Sequence, residues 1–494
     1  MHQLSALDAQ FLNAESPTTA AHVAGLAVLD PLGAVLDREA LAGLLEARMH
    51  LSPALRLRLR TVPFGLDHPY WAPDPDFDLD RHLFARELPA PGGEHELAEA
   101  VGEVHARRLD RDRPLWEMHL ITGLTGGRIA VYTKVHHAAI DGVSGAELLA
   151  AFLDLTPEPR LTPEPQAEDS PAPGLGDMLA GAARSVLTHP ARALGSLVRA
   201  AGELDSIPLA ASLPGARRIA RAARLAAGDR EPRSDLPDLT VPRTPWNGPI
   251  SAERRVSFGS VPLKDVKAVA KAHGLSVNDV VMTMCASALR AWLLARGELP
   301  PEPLIAGVPV ALSPDPESGA GTTVGNRIAA IVAPLATDVA EPYARLHAVG
   351  RSMRAAKRRF AESPANWLHE LCALLPAPVS ALAVPAAFRL ASVVAPPINL
   401  IISNVPGPQF PLYLCGARVL SYYPLSVLTD ATGGVNITCF SYDGMIDFGV
   451  VACPERLSEV WTLMAHLRTA LEELLDEGVG DELGDGVGID LVPG

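Results

Sequence analysis

Two adjacent histidines, His136 and His137, lead the string His136-His137-Ala138-Ala139-Ile140-Asp141-Gly142. Neutral imidazole has a pKa near ~6.5, so a histidine can take the proton of an alcohol at cellular pH. The oxygen so activated can attack a carbonyl. A thioester is a suitable partner, because a thiolate (thiol pKa ~8.5) leaves readily. Direct transfer of this kind needs no protein nucleophile, and the chain has no Gly-x-Ser-x-Gly elbow that would suggest an acyl-serine. Two plainer readings compete. A His-x-x-x-Asp spacing also occurs as a satisfied structural pair. Two histidines and an aspartate can ligate a metal, but neighbouring strand residues point apart and no third cluster lies nearby, so no metal is expected.

These side chains need a strand end to hold them. Arg128–Val135 reads as a β-rich run after the turn signal Gly126-Gly127, and a helix carrying Val143, Leu148, Leu149, Phe152 and Leu153 follows the motif. Successive strand side chains alternate faces, so one histidine is expected to meet a cleft and the other to pack inward. Asp141, four residues past His137, can return through a turn to orient a ring or hold the loop. Gly142 permits the tight backbone at the helix start. Elsewhere the texture is α/β throughout. Strands are predicted at His22–Leu29, Arg254–Phe258, Leu304–Leu312, Arg327–Pro334, Ile398–Val405, Asn436–Tyr442 and Ile446–Cys453. Helices are predicted at Arg38–Arg48, Glu96–Arg107, Leu263–Ala272, Val277–Arg296, Tyr343–Phe360 and Leu457–Leu475. Three regions follow: 1–157 with the His motif, a Pro-rich and basic helical linker at 158–243, and 244–494.

The 494 residues carry 42 Lys+Arg against 57 Asp+Glu, a net charge of −15. That balance argues against broad nucleic-acid binding, which needs a basic surface, and the 5% aromatic content argues against a base-stacking platform. The odd set Cys285, Cys372, Cys415, Cys439 and Cys453 has no CxxC pair, which reads as reduced cytosolic thiols. The N-terminus lacks the basic and apolar regions of a secretion signal. The weakly charged stretch Leu374–Phe388 reads as too short to span a bilayer, so the protein is expected to be soluble or bound to a membrane surface. Met178–Arg224 holds seven arginines against Glu203 and Asp205. Such a segment is either an inter-domain helix pair with a solvated basic face or an anchor on an anionic membrane.

Further blocks accompany the His motif. They are Leu4-Ser5-Ala6-Leu7-Asp8-Ala9-Gln10-Phe11-Leu12, Arg113-Pro114-Leu115-Trp116-Glu117, Val277-Asn278-Asp279-Val280-Val281, Gly325-Asn326-Arg327, Ser403-Asn404-Val405-Pro406-Gly407-Pro408, Gly434-Val435-Asn436-Ile437 and Ser441-Tyr442-Asp443-Gly444. Together they resemble the bacterial wax ester synthase/diacylglycerol acyltransferases, within the His-His-x-x-x-Asp acyltransferase superfamily of chloramphenicol acetyltransferase and the condensation domains. The resemblance covers nearly the whole chain. The Ser403–Pro408 block is its most specific part after the His motif. One departure stands out: where the family carries a basic residue after Val308-Pro309-Val310, this chain has Ser313-Pro314, which removes the basis for an anionic contact from that loop.

The resemblance implies two chloramphenicol-acetyltransferase-like lobes, each a mixed sheet with flanking helices, and an active site in the channel between them. It implies an acyl-coenzyme A-dependent O-acyltransferase making triacylglycerol, wax ester or both, with no cofactor, since acyl-coenzyme A is a substrate. His137 would be the base, His136 its support and Asp141 the holder of the loop. Asn278, Ser403 and Asn404 are candidate oxyanion donors, weighed against turn and helix-cap roles; Asn278 opens a helix, where asparagine readily caps. Gly142, Pro114, Leu115 and Trp116 count as support, with Trp116 more naturally a core residue. The partners would be long-chain acyl-coenzyme A with diacylglycerol or fatty alcohol, and the setting cytoplasmic, peripheral to the membrane or to lipid droplets. Rival readings are a carrier-protein-dependent acyltransferase of the polyketide-associated type, a non-catalytic droplet-surface protein, and a glycerolipid acyltransferase built on the His136-x4-Asp141 spacing.

Overall fold

The computed structural model describes residues 2–139, 149–162, 216–226, 240–311, 328–362, 376–394 and 396–480, with isolated positions at 174, 176, 178–181, 183–184, 201–202, 228 and 372. The motif residues Asp141 and Gly142, most of the linker and the Ser313-Pro314 loop lie outside the described residues.

The first half contributes β1 (His2–Gln3), α1 (Ala6–Ala14), β2 (His22–Asp30), α2 (Arg38–Arg48), β3 (Leu57–Arg60), β4 (Tyr70–Pro73), β5 (Leu83–Glu87), α3 (Glu94–Ala106), β6 (Trp116–Thr122) and β7 (Ile129–His136). One helix of the linker region, α4 (Ala216–Ala226), is described. The second half adds β8 (Arg255–Pro262), α5 (Leu263–Ala272), α6 (Val277–Leu294), β9 (Ile305–Ala311), β10 (Ile328–Pro334), α7 (Pro342–Glu362), α8 (Ala377–Val394), β11 (Leu400–Pro406), β12 (Tyr413–Leu414), β13 (Ala417–Leu425), β14 (Val435–Tyr442), β15 (Met445–Ala452) and α9 (Val460–Gly480).

Two six-stranded sheets form the frame. One runs β12-β13-β2-β7-β6-β5 and the other β10-β9-β11-β14-β15-β8; a small sheet, β1-β4-β3, stands apart. Both large sheets are mixed. β5 and β6 run parallel in the first, as β11 does with β9 and β14 in the second, and the remaining pairs are antiparallel. The mixed α/β class expected from the sequence is therefore present in both halves. The regional boundary at 244 does not separate the sheets, however. β12 and β13 come from the second half and complete the first sheet, with β13 paired to β2 from Asp30↔Arg418 to Ala24↔Leu425.

Local chemistry accounts for the elements. Ser276 caps α6, with its hydroxyl taking the Asp279 N–H and the Asp279 carboxylate returning to the Ser276 N–H. Past that cap α6 is apolar on all sides, so it is buried between the second sheet and α7 and α9. β14 and β15 are buried on both faces and are mostly apolar, with Asn436, Thr438 and Asp447 buried among them. The two sheets meet where β13 packs on β14 and β15. There Asp447 of β15 accepts the Tyr422 N–H of β13 at 2.7 Å and the Ser260 hydroxyl of β8 at 2.6 Å. Burial pushes its carboxyl up to about 6, against the lowering pull of those two hydrogen bonds.

The stretch read as too short to span a bilayer is a longer helix than its composition suggested. α8 has 18 residues, with Pro378 in its first turn, where the missing N–H costs nothing, and Pro385 inside it. By length and composition α6 and α8 could both cross a membrane, but α6 is mostly buried core whereas α8 is largely exposed. All five cysteines are free.

Candidate active site

β7 ends at His136, and the chain turns there. The His136 N–H donates to Leu115 O at 2.9 Å, and the His137 N–H to Ala21 O at 2.8 Å, so both histidines are pinned by their backbones to neighbouring segments. The two side chains have different surroundings. His136 is buried. Its Nδ1 accepts the Ala138 N–H at 3.0 Å, and since a backbone N–H only donates, the ring proton of neutral His136 sits on Nε2. Nε2 lies 3.5 Å from Glu15 Oε1. The His137 ring is half-buried and stacks on Phe11, with centroids 3.9 Å apart and planes 6° from parallel.

Glu15 is a hub for this corner. Its Oε1 accepts the Ala21 N–H at 3.2 Å, and its Oε2 takes Arg111 Nε at 2.9 Å and Nη2 at 2.7 Å. Burial alone would raise its carboxyl pKa, but His136 and Arg111 outweigh that and hold it at about 2. A carboxyl lowered from 4.5 stabilises the fold above its unfolded pKa, and that contribution disappears as the pH falls from about 4.5 through about 2. Its size is on the order of 3 kcal/mol. Glu15→Gln is therefore expected to lower the unfolding temperature at pH 7 and to flatten its decline between those pH values. A parallel acid decline in mutant and wild type would remove Glu15 from this role.

His22 pairs with His136 across the β2–β7 ladder and is fully buried. Burial, reinforced by His105, Lys134 and His136, pushes its pKa well down, so it stays neutral beside the site. Phe11, Glu15 and Arg111 had no assigned role in the sequence reading. The available signals were the block Leu4–Leu12, which contains Phe11, and the closeness of Arg111 to the Pro114-Leu115-Trp116 block. Leu12 O also receives Arg111 Nη2, which ties those two blocks together.

The remaining candidates fall into two groups. Pro114, Leu115 and Trp116 are buried structure: Trp116 donates Nε1–H to Leu55 O at 2.9 Å and stacks on His82. Asn278 does not cap α6, because Ser276 does. Instead its Oδ1 accepts Asn404 Nδ2–H at 3.2 Å, which joins the start of α6 to β11. Ser403 is half-buried beside Asn404. Val405, the next residue, pairs with Phe440 of β14 and packs against the core cluster of the first lobe. Among the described residues, no group of histidine, cysteine and acidic side chains could hold a metal.

Two mixed six-stranded sheets with flanking helices, one of them ending a strand in a histidine turn, define a two-lobed mixed α/β fold. Comparison with known proteins agrees. The wax ester synthase/diacylglycerol acyltransferase catalytic domain matches residues 4–281, and the C-terminal domain of the same family matches residues 324–475. A protein named as a diacylglycerol O-acyltransferase in Mycobacterium tuberculosis is 38% identical over 476 residues, covering 95% of this chain and 99% of its own length. A second from the same organism, under the same kind of name, is 36% identical over 483 residues, covering 96% and 98%. The solved wax ester synthase/diacylglycerol acyltransferase from Marinobacter aquaeolei VT8 superposes with a TM-score of 0.67 at 30% identity, covering 97% of this chain and all of that one. A condensation domain of the calcium-dependent antibiotic synthetase shares the fold alone, with a TM-score of 0.51 at 15% identity. The chain belongs to the wax ester synthase/diacylglycerol acyltransferase family and is an O-acyltransferase.

Proposed function

We propose that the enzyme moves the acyl group of a long-chain acyl-coenzyme A onto the hydroxyl of diacylglycerol or a long-chain alcohol, with His137 as general base. The observation that carries this reading is the histidine turn itself. His136 is held by the Ala138 N–H on its Nδ1 and by its own N–H on Leu115 O, which fixes the backbone from which the half-buried His137 is presented. His137 takes the hydroxyl proton as the oxygen bonds to the thioester carbon. The tetrahedral oxyanion collapses, the C–S bond breaks, and the proton held on His137 passes to the departing thiolate. Asn278 at the start of α6 and Ser403 and Asn404 on β11 are assigned as donors to the oxyanion. Asp141 is assigned to holding the loop. No cofactor is required.

Purified enzyme with radiolabelled palmitoyl-coenzyme A and either a diacylglycerol or hexadecanol is expected to yield labelled triacylglycerol or wax ester on chromatography. Absence of both products would overturn the acyl-coenzyme A reading.

The finer setting is a cytoplasmic lipid surface. Acceptors of this kind do not dissolve in water, and α8 presents Val379, Leu382, Leu390, Val393 and Val394 to solvent beside Arg389. The helix is seated on α1 through Asn13 and Ser380, and α1 carries the Phe11 that stacks on His137. Wild type is expected to float with anionic vesicles, and Leu382→Glu with Leu390→Glu to stay in solution. Equal flotation of both proteins would exclude α8 as the contact.

A further inference from the structure

We propose that the outer face of α7 is the docking groove for the phosphate-bearing end of the acyl donor, a proposal that rests on acyl-coenzyme A being that donor. From Tyr343 to Ala361 the chain has no acidic residue. Arg351, Arg354 and Arg358 recur at helical spacing with Lys357 beside them, and these four cations with Ala355 line a groove of about 510 Å³. None of the four makes an ion pair or hydrogen bond with a described residue, although the chain as a whole carries a net charge of −15. Like charges three and four residues apart destabilise a helix, so a cluster with no partner among the described residues has a cost that an anion would relieve.

The helix is a firm platform. Leu346, Val349, Met353 and Ala356 of its inner face belong to the core of the second lobe. Glu341 accepts the N–H groups of Tyr343 and Ala344 at its start.

Position connects the groove to the candidate oxyanion donors. Gly350, directly before Arg351, lies so close to Leu275 that a Cβ there would meet the Leu275 side chain at 2.7 Å and Arg354 Nη1 at 3.5 Å. Leu275 is followed at once by the Ser276 cap and by Asn278, which binds Asn404 of β11. The cations therefore flank the start of α6, where Asn278 and its partner Asn404 lie, two of the groups assigned above to the oxyanion. Coenzyme A bears a diphosphate and a 3′-phosphate at the end remote from its thioester. Arginine forks pair two-pronged with phosphate oxygens, and lysine adds a point charge. The loop carrying Ser313-Pro314 offers no cation for that end, and α7 supplies four.

The test uses the full chain with Arg354→Glu and Arg358→Glu together, and Arg358→Ala as a milder variant. With palmitoyl-coenzyme A the double variant is expected to raise KM at least about tenfold, with kcat held within about twofold. With S-palmitoyl-pantetheine, which has the same thioester and no phosphate, variant and wild type should share one KM. Titration of adenosine 3′,5′-bisphosphate should show binding to the wild type and none to the double variant. Equal KM increases for both donors, or no increase for either, would overturn the proposal. So would loss of flotation with phosphatidylglycerol vesicles while the KM for detergent-dispersed palmitoyl-coenzyme A stayed fixed, since the cations would then serve a lipid headgroup. If wild type made no product from any donor, the donor reading itself would fail, and the bisphosphate titration would still decide the groove.

Discussion

His137→Ala is expected to reduce ester formation by about 10²–10⁴-fold or more, the range lost when a positioned proton acceptor is removed from acyl transfer. Without the imidazole the attacking hydroxyl keeps its proton until late in bond formation, and the departing thiolate loses its proton source. The fold should survive, because the side chain is half-buried and its main partner, Phe11, lies partly exposed as well. Circular dichroism and the unfolding temperature of the variant should match wild type while labelled triacylglycerol and wax ester disappear. The wild-type rate should also fall as the solution becomes acidic enough to protonate the base. A variant retaining activity within about tenfold, or a wild-type rate flat to pH 5, would remove His137 from the role of base.

Arg48→Ala is expected to be the most damaging single change to stability. Arg48 and Asp154 form a fully buried ion pair at 2.9 Å, with side chains 2% and 3% exposed. Arg48 also donates to Phe152 O, and Asp154 accepts the Arg160 N–H while its backbone pairs with Tyr413. Removing Arg48 leaves the buried Asp154 carboxylate with only the half-exposed Arg160 guanidinium at 3.7 Å, which costs up to about 3–5 kcal/mol. The double change Arg48→Met with Asp154→Leu should cost less than Arg48→Ala alone, because no lone charge remains. Thermal unfolding of the three proteins checks this. Equal midpoints for wild type and Arg48→Ala would mean that the pair contributes nothing. Activity should fall with stability, because Asp154 lies just beyond the short helical stretch at 149–152 that follows the histidine motif.

The sequence made some parts of this molecule legible and concealed others. α2 and α5 have the predicted bounds, Arg38–Arg48 and Leu263–Ala272, because each has a clear apolar stripe. β7 is displaced by one residue at each end, and the block Ser403–Pro408 falls on β11 and its exit as its apolar start suggested. β13 was missed. Its buried positions, which include the polar Ser421, alternate with Arg418, Leu420, Tyr422 and Pro424, and that proline reads as a break until the strand is seen at the side of the first sheet. α8 was missed because three prolines mask its helical pattern. At the site, the His motif was plain from its residue types. Asn278 was read as a cap, since nothing local reveals that Ser276 takes that place and that Asn404, 126 residues on, is its partner. Glu15 and Arg111 lie 96 residues apart, so their convergence on His136 is a property of the fold and not of any spacing.

The passage of β12 and β13 into the first sheet has a consequence for how the chain is made. Synthesis proceeds from the N-terminus, and one flank of β2 stays open until residues 413–425 leave the ribosome. At typical elongation rates that interval is on the order of tens of seconds. The nascent first lobe therefore waits with an unpaired edge, which another unfinished chain could add to. A fragment ending in the linker would be left in that state permanently. The last third of the polypeptide thus decides when the first third becomes a finished structure, and the histidine turn is set in its final surroundings only near the end of translation.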